Sequence, residues 1–370
     1  MHSRLTSLDA LRGFDMFWLI GAREIVNGVA GLGVPFGRAL AHQLTHSDWN
    51  GFTFYDLIFP LFLFIVGVSL VFAVRRRLQK GQSRREILRH VVCRSLVLFA
   101  LGLLYNGGLS QTGVWENLRF MGVLQRTALV YFFSALLVLH TRPRTQALAV
   151  AAILAGYWAA LRFIPVPGHP PGLLTPTVNL VRYVDLHLLP GEPYWGTWDP
   201  EGILSTVPAV ATGLLGALTG HWLQVSTGPQ GETLTPTRRA GYLLAAGSLL
   251  VLLGLLAGLV FPINKSLWTS SYVLLTGGLS AMLLALFYWL IDVRGHRRWA
   301  FPFVVIGMNS LFIYLADNLI PFGDLARRLV GGDVADLFGP GRLLFLALAE
   351  LALEWLLLWW MYRRRIFIRI

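Results

Sequence analysis

A histidine in a polar loop, set just ahead of an apolar run, is the first group in this chain suited to chemistry. His46-Ser47-Asp48-Trp49-Asn50-Gly51 precedes the run Phe52 to Val74, which itself carries Asp56 four residues before Pro60. Histidine changes charge near neutral pH and so suits proton transfer. A carboxylate beside it favours the imidazolium and can hold the ring. Asp48 and Asp56 are both candidates for that part. An ionisable group inside an apolar span is costly and marks a functional site by default. The other reading of Asp56 is an ion pair with Arg119 or Arg126.

The elements that must position these groups are membrane spans. The chain has 370 residues, of which 55% are hydrophobic and 14% charged; a soluble domain carries about 25% charged residues. Apolar runs of about 18 residues recur, as spanning helices require. The fold expected is an all-α integral membrane bundle, a single transmembrane domain over residues 1–370. The net charge of +12 lies in clusters between spans. Such clusters orient a membrane protein and contact anionic lipid, so membrane lipids are expected partners and nucleic acid is not. A single cysteine, Cys93, excludes an intrachain disulfide and speaks against zinc or redox chemistry; no metal is expected. Asp9, Arg12 and Asp15 break up the first apolar stretch, so it does not read as a cleavable signal.

About ten spans are expected. The first runs from about Leu8 to Val29, with Ser7 as its N-cap and Asp9 paired with Arg12 one turn on. The others begin near Phe52, Val91, Arg119, Ala147, Ile203, Gly241, Ser271, Phe303 and Arg342. Basic residues cluster at Arg75-Arg76-Arg77 with Lys80, Arg84, Arg85 and Arg89, then at Arg142 and Arg144, Arg238 and Arg239, Arg294 to Arg298, and the tail after Tyr362. These fall on alternate loops, which puts both termini in the cytoplasm and the His46 loop outside. A Pro- and Gly-rich loop from Pro165 to Glu201 also lies outside, and a loop of that length is more often functional than idle.

The ordered motifs Ser7-Leu8-Asp9-Ala10-Leu11-Arg12-Gly13, His46 to Gly51, Asp56-Leu57-Ile58-Phe59-Pro60 and Gly122-Val123-Leu124-Gln125-Arg126 carry a resemblance. So do Asp199-Pro200-Glu201-Gly202, Pro262-Ile263-Asn264-Lys265, Leu267-Trp268 and Gly307-Met308-Asn309-Ser310. Together they resemble the heparan-α-glucosaminide N-acetyltransferase family, including its shorter bacterial-type members. That resemblance implies an enzyme moving acetyl from cytosolic acetyl-CoA, as co-substrate, to the amine of a glucosamine-type sugar across the membrane. It implies residence in a bacterial inner (plasma) membrane. The family's catalytic histidine falls on His46. Where the lysosomal members have an asparagine implicated in catalysis, this chain has Arg23.

On this reading His46 takes the proton of the attacking amine or accepts acetyl itself, with Asp48 or Asp56 behind it. Arg12, Gln125, Arg126 and Arg76 are the candidates for the CoA side. Gln125 and Arg126 would line a tunnel for the pantetheine arm or polarise the thioester carbonyl, with structural ion pairing as the alternative. Arg76 would meet phosphate, or serve as a topology signal with its neighbours. Arg23, Trp198, Glu201, Asn264, Lys265 and Asn309 are the candidates for the acceptor side. Their alternatives are interface anchoring for Trp198, helix N-terminal charge for Glu201, turn chemistry for Asn264 and Lys265 and interhelical hydrogen bonding for Asn309. The amino-sugar acceptor is the expected small-molecule partner, and a homodimer is one assembly the sequence allows. Two rival classes fit the same spans: an amino-sugar transporter or permease, and an O-acetyltransferase of a glycan or lipid head group. Transporters often carry matched broken spans in repeated halves, and no such repeat is evident in this sequence.

Overall fold

The computed structural model describes residues 5–32, 35–107, 117–225, 227 and 233–368, and the side chains of 22, 23, 27, 35 and 36 lie outside the described set. In chain order the helices begin with α1 (Thr6–Ala30), α2 (Pro35–Gln43), α3 (Ile58–Gln79), α4 (Arg84–Tyr105) and α5 (Val123–His140). They continue with α6 (Pro143–Phe163), α7 (Leu180–Leu188), α8 (Ile203–Leu223), α9 (Pro236–Gly258) and α10 (Ser270–Phe287). The last are α11 (Phe301–Met308), α12 (Ser310–Leu319), α13 (Phe322–Val330), α14 (Asp333–Asp336) and α15 (Arg342–Arg363). Two compact units form, one from residues 1–48, 52–62 and 283–369 and the other from 49–51 and 63–282.

Among the described residues, eight helices are long and apolar enough to cross a membrane, nine when α11 and α12 count as one span. Ten were expected, and α1 accounts for the difference. It is a continuous helix of 25 residues, but Asp9, Arg12, Asp15, Arg23 and Glu24 keep it outside the apolar set. The expected ninth span is broken at Asn309, where α11 and α12 meet at 75°.

In the first unit, α1 packs on α11, α12 and α15 around Met16, Ile20, Val305, Ile306, Ile313 and Leu358. Its N-terminus is not capped by Ser7 as expected. The Asp292 carboxylate, one turn beyond α10, accepts from the backbone N–H of Thr6 at 3.2 Å and Ser7 at 3.1 Å. An acidic group at a helix N-terminus answers both the orphan donors and the dipole, and it leaves the Ser7 hydroxyl unused. The expected pair of Arg12 with Asp9 is present at 3.4 Å.

Two glycines make the α1–α11 crossing possible. A Cβ on Gly13 would lie 1.7 Å from the Phe303 carbonyl oxygen, and one on Gly307 would lie 2.0 Å from that of Asp9. Small residues at such crossings let backbones approach closely in membrane bundles. Gly13→Ala is therefore expected to force α1 off α11, at a cost of about 3 kcal/mol or more, read as a lower melting temperature in detergent or nanodiscs.

In the second unit, α3 crosses α8 in the same way. A Cβ on Gly67 would meet the Gly213 carbonyl at 1.9 Å, and one on Gly216 would meet that of Phe64 at 2.0 Å. The α4 helix begins seven residues before the expected Val91. Ser83 and Glu86 cap it reciprocally, the Ser83 N–H donating to Glu86 at 2.7 Å and the Glu86 N–H to the Ser83 hydroxyl at 3.2 Å. The loop from Pro165 to Glu201 is built around α7, whose Leu180 and Val181 are buried beside Tyr157, Leu161, Trp198 and Leu267.

Candidate active site

The loop carrying His46 is folded onto a short 3-10 turn, Phe54–Leu57, that leads into α3. Asp56 lies in this turn and is fully buried. Its Oδ2 accepts from the backbone N–H of Thr53 at 3.1 Å, as in the acidic half of a capping box. The same oxygen accepts from the N–H of Ser47 at 3.2 Å. Its Oδ1 lies 2.9 Å from His46 Nδ1. The Thr53 hydroxyl donates to the Thr45 carbonyl at 2.6 Å and closes the loop from the other side.

The His46 ring also stacks on Tyr55, with centroids 4.7 Å apart. Its side chain is 48% exposed while the Asp56 carboxyl is 0% exposed. A buried carboxylate that takes two backbone N–H groups acts as an acceptor, so Nδ1 carries the proton it shares with Asp56. The lone pair then resides on Nε2. This is the arrangement in which a carboxylate fixes the tautomer and orientation of a general base. The Ser47 hydroxyl is buried beside this pair and has no hydrogen-bond partner among the described residues.

In the second unit, residues 49–51 are clasped by two segments. Gly51 donates its N–H to the Ile263 carbonyl at 2.9 Å, and Asn264 donates from Nδ2 to Asn50 Oδ1 at 3.1 Å. Trp49 donates to the Leu174 carbonyl at 2.8 Å and packs edge-on against Trp198. Asn264 is fully buried, and its Oδ1 accepts from the Leu267 N–H at 2.8 Å. Lys265 beside it is half-buried. Trp198 is buried between Trp49 and Trp195.

Arg119 precedes α5 and grips the segment that leads into α8. Its guanidinium meets Asp199 at 2.6 and 2.8 Å and Glu201 at 2.7 Å, and it lies 4.6 Å over the Tyr194 ring. Burial pulls the Arg119 pKa down, but the paired carboxylates outweigh it and the net shift is upward. Arg126, fully buried on α5, donates to the Pro200 carbonyl at 2.7 Å and to the Ser205 hydroxyl, and lies over the Trp268 ring. Both arginines are thus committed within the second unit, and Asp56 takes His46. Arg126 Nη1 and Gln125 Nε2 are buried donors with no partner among the described residues.

Asp48, the other carboxylate expected behind His46, is exposed and makes no hydrogen bond or ion pair among the described residues. Arg76 is exposed in the last turn of α3, while its neighbours Arg75 and Arg77 bond Gln224 and His90. Asn309 is fully buried and bonds the C-terminal tail. Its Nδ2 donates to the Ile366 carbonyl at 2.9 Å and its Oδ1 accepts from Ile368 at 2.9 Å. The Arg23 side chain lies outside the described residues.

Thr53, Tyr55 and Asp185 were not anticipated. The Thr53-x-x-Asp56 spacing of a cap was the available signal for the first. Asp185, on α7, is fully buried and accepts from the N–H of Ile203 at 3.0 Å and of Asp199 at 3.4 Å. A Cβ on Gly202 would lie 1.9 Å from Asp185 Oδ2, so the glycine of Asp-Pro-Glu-Gly makes room for this carboxyl. Burial pushes the Asp185 pKa up to about 6, against the two backbone N–H groups that hold it down. The folded state therefore binds this proton more tightly than the unfolded chain, whose aspartates titrate near 4. Stability from Asp185 is present below pH 4 and is lost as pH rises through 6, by about 3 kcal/mol. Melting measured from pH 7 down to pH 4 is expected to show a smaller gain in Asp185→Asn than in the wild type.

An integral membrane α-helical protein with a carboxylate-held histidine at the mouth of a span is the class that fold and site define. Residues 4–250 match the family model described as heparan-alpha-glucosaminide N-acetyltransferase, catalytic, and the chain belongs to that family. It is similar to the heparan-alpha-glucosaminide N-acetyltransferases of Homo sapiens, 28% identical over 378 residues, and Mus musculus, 29% identical over 380 residues. Each alignment covers 86% of this chain and 54% or 55% of the relative, so the chain spans about half the length of the curated proteins it matches. The His46 loop, Asp56, Arg119, Arg126 and residues 199–202 lie inside the matched range, and Asn264, Lys265 and Asn309 lie beyond it.

Proposed function

We propose that this chain is a transmembrane N-acetyltransferase, taking acetyl from acetyl-CoA on the cytoplasmic side and passing it to the amine of a glucosamine-type sugar on the other. The observation that carries the reading is the His46 Nδ1 to Asp56 contact of 2.9 Å within a chain of this family. Basic residues on alternate loops support cytoplasmic termini and an outward His46 loop. His46 Nε2 accepts the proton as the amine nitrogen attacks the thioester carbon, and Asp56 holds the resulting imidazolium. As the carbon–sulfur bond breaks, His46 returns the proton to the leaving thiolate, so the products are the acetamide and free CoA. The unused donors Gln125 Nε2 and Arg126 Nη1 fit a ligand rich in carbonyl and phosphate oxygens. In that role they bind and orient the donor.

Purified protein in liposomes, with acetyl-CoA inside and glucosamine outside, tests the reading. N-acetylglucosamine appearing outside, with CoA released inside, is the expected result. Uptake of glucosamine without release of CoA would replace this reading with a transporter.

A further inference from the structure

Arg77, His90 and Arg94 gather on the second unit as a group of cations and donors that no acid among the described residues answers. Arg77 lies in the last turn of α3, and His90 and Arg94 stand one turn apart on α4. These helices pack with α5 through Leu70, Val74, Ile87, Val91 and Tyr131. The three polar side chains stay partly exposed. Arg77 Nη2 lies 2.7 Å from His90 Nε2. A guanidinium only donates, so Nε2 accepts and the ring proton sits on Nδ1. That N–H has no partner among the described residues. Arg77 Nη1 donates to Gln82 at 3.1 Å, again a neutral partner. Arg94, also near His90, lies 4.8 Å over the Tyr131 ring, and its Nε is bonded to nothing among the described residues. Glu86 precedes His90 by one turn, but its carboxylate caps α4 with Ser83.

Cations within a span normally meet a carboxylate or a carbonyl, so these two call for an anion from outside the chain. Their surroundings say which kind. Arg94 lies about 15 Å along the axis from Arg84, where α4 begins. His90, Arg94 and Val97 fall within about 60° of arc on α4. Val97 and its neighbour Leu96 are 43% and 65% exposed, and only 22% of the apolar stretch of α4 is buried inside the protein. The cations therefore border bare apolar surface on the side away from the helix start. On the other side the turn between α3 and α4 carries Arg76, Lys80, Arg84 and Arg85, all exposed. Juxtamembrane clusters of this kind draw anionic lipid to the surface.

We propose that Arg77, His90 and Arg94 hold the phosphate of an anionic glycerophospholipid whose acyl chain runs along α4 over Val97. The guanidiniums supply charge and forked donors to the phosphate oxygens, and His90 Nδ1–H adds a neutral donor. A soluble phosphate satisfies the same donors but leaves the apolar surface beyond them uncovered. Bound there, the lipid ties α3 to α4 and stabilises the folded chain by mass action.

The test uses the full chain, delipidated in detergent, with phosphatidylglycerol, phosphatidylcholine or inorganic phosphate added at equal concentration. Melting temperature and the lipid retained in native mass spectrometry are the readouts. Phosphatidylglycerol is expected to raise the melting temperature and to be retained at one per chain, and the other two to do neither. Arg77→Gln and Arg94→Gln keep long polar side chains, and each is expected to weaken phosphatidylglycerol about fivefold. Arg85→Gln, about 180° round α4 from Arg94, is expected to leave it unchanged. Phosphatidylglycerol binding in Arg94→Gln equal to that of the wild type overturns the proposal. So does an equal loss in Arg85→Gln, which marks diffuse surface charge. Protection by inorganic phosphate or phosphatidylcholine as strong as by phosphatidylglycerol overturns the assignment to an anionic lipid. A lipid-free Arg94→Gln that melts lower, with Arg77→Gln binding as the wild type does, marks a structural role for Arg94 and overturns it too.

Discussion

His46→Ala is expected to lower acetyl transfer by about a thousandfold while leaving CoA binding intact. General bases in position contribute 10² to 10⁴, and this one has the features of a base in position. Its Nδ1 is engaged by a buried carboxylate at 2.9 Å, its ring is stacked on Tyr55, and its side chain stays about half exposed. The alanine variant loses the base and keeps the loop, because the bonds to Thr53, Thr45 and Ser47 do not pass through the imidazole. The decisive measurement is kcat at saturating acetyl-CoA, set beside the CoA dissociation constant. An unchanged kcat would remove His46 from the chemistry.

Asp56→Asn should cost about 10²-fold to 10⁴-fold in kcat, for a different reason. The amide is the same size, so packing in the 3-10 turn is kept. Asparagine cannot accept through both atoms as the carboxylate does. Either it gives up the N–H groups of Ser47 and Thr53, or it presents its NH₂ to His46. In the second case Nδ1 becomes the acceptor and the proton moves to Nε2, the tautomer that cannot act as base. Loss of a buried charge-assisted network also lowers stability by about 3 kcal/mol, so kcat must be measured well below the melting temperature. Asp48→Asn, at an exposed position without partners among the described residues, provides the contrast, and its kcat is expected to stay within about twofold of the wild type. If Asp48→Asn were the damaging change and Asp56→Asn silent, the assignment of the two carboxylates would be reversed.

The two arginines of the second unit show how charge is accommodated inside that unit. Arg119 and Arg126 both hold the segment between Pro200 and Ser205. Arg119 spends its guanidinium on Asp199 and Glu201 at the loop side. Glu201 is therefore already neutralised, which weakens its candidacy as a free attractor for a cationic sugar. Asn264 and Asn309 have likewise given their amides to backbone and to Asn50. Of the acceptor-side candidates, each of these carries a structural duty of its own.

Much of this protein was legible in its sequence because a bilayer imposes a simple rule. Spanning helices need long apolar runs with internally satisfied backbones, and eight helices obey it plainly. The helix α1 was expected too, but five charged side chains set it apart from those eight. His46 and Asp56 stood out as an ionisable pair in costly places, ten residues apart. That Asp56 and not Asp48 meets His46 was decided by the 3-10 turn, which swings residue 56 back over the loop. Arg119 and Asp199 are eighty residues apart, and no local spacing announces their contact. Nor does any pattern reveal that Asn309 ties down the tail or that Asp15 is left without a partner among the described residues. The sequence by itself determined the membrane class and the family and singled out His46 as the candidate base, because hydropathy and short motifs are local properties. Which carboxylate holds that histidine and which groups the two arginines grip are matters of non-local packing, and only the tertiary structure decided them.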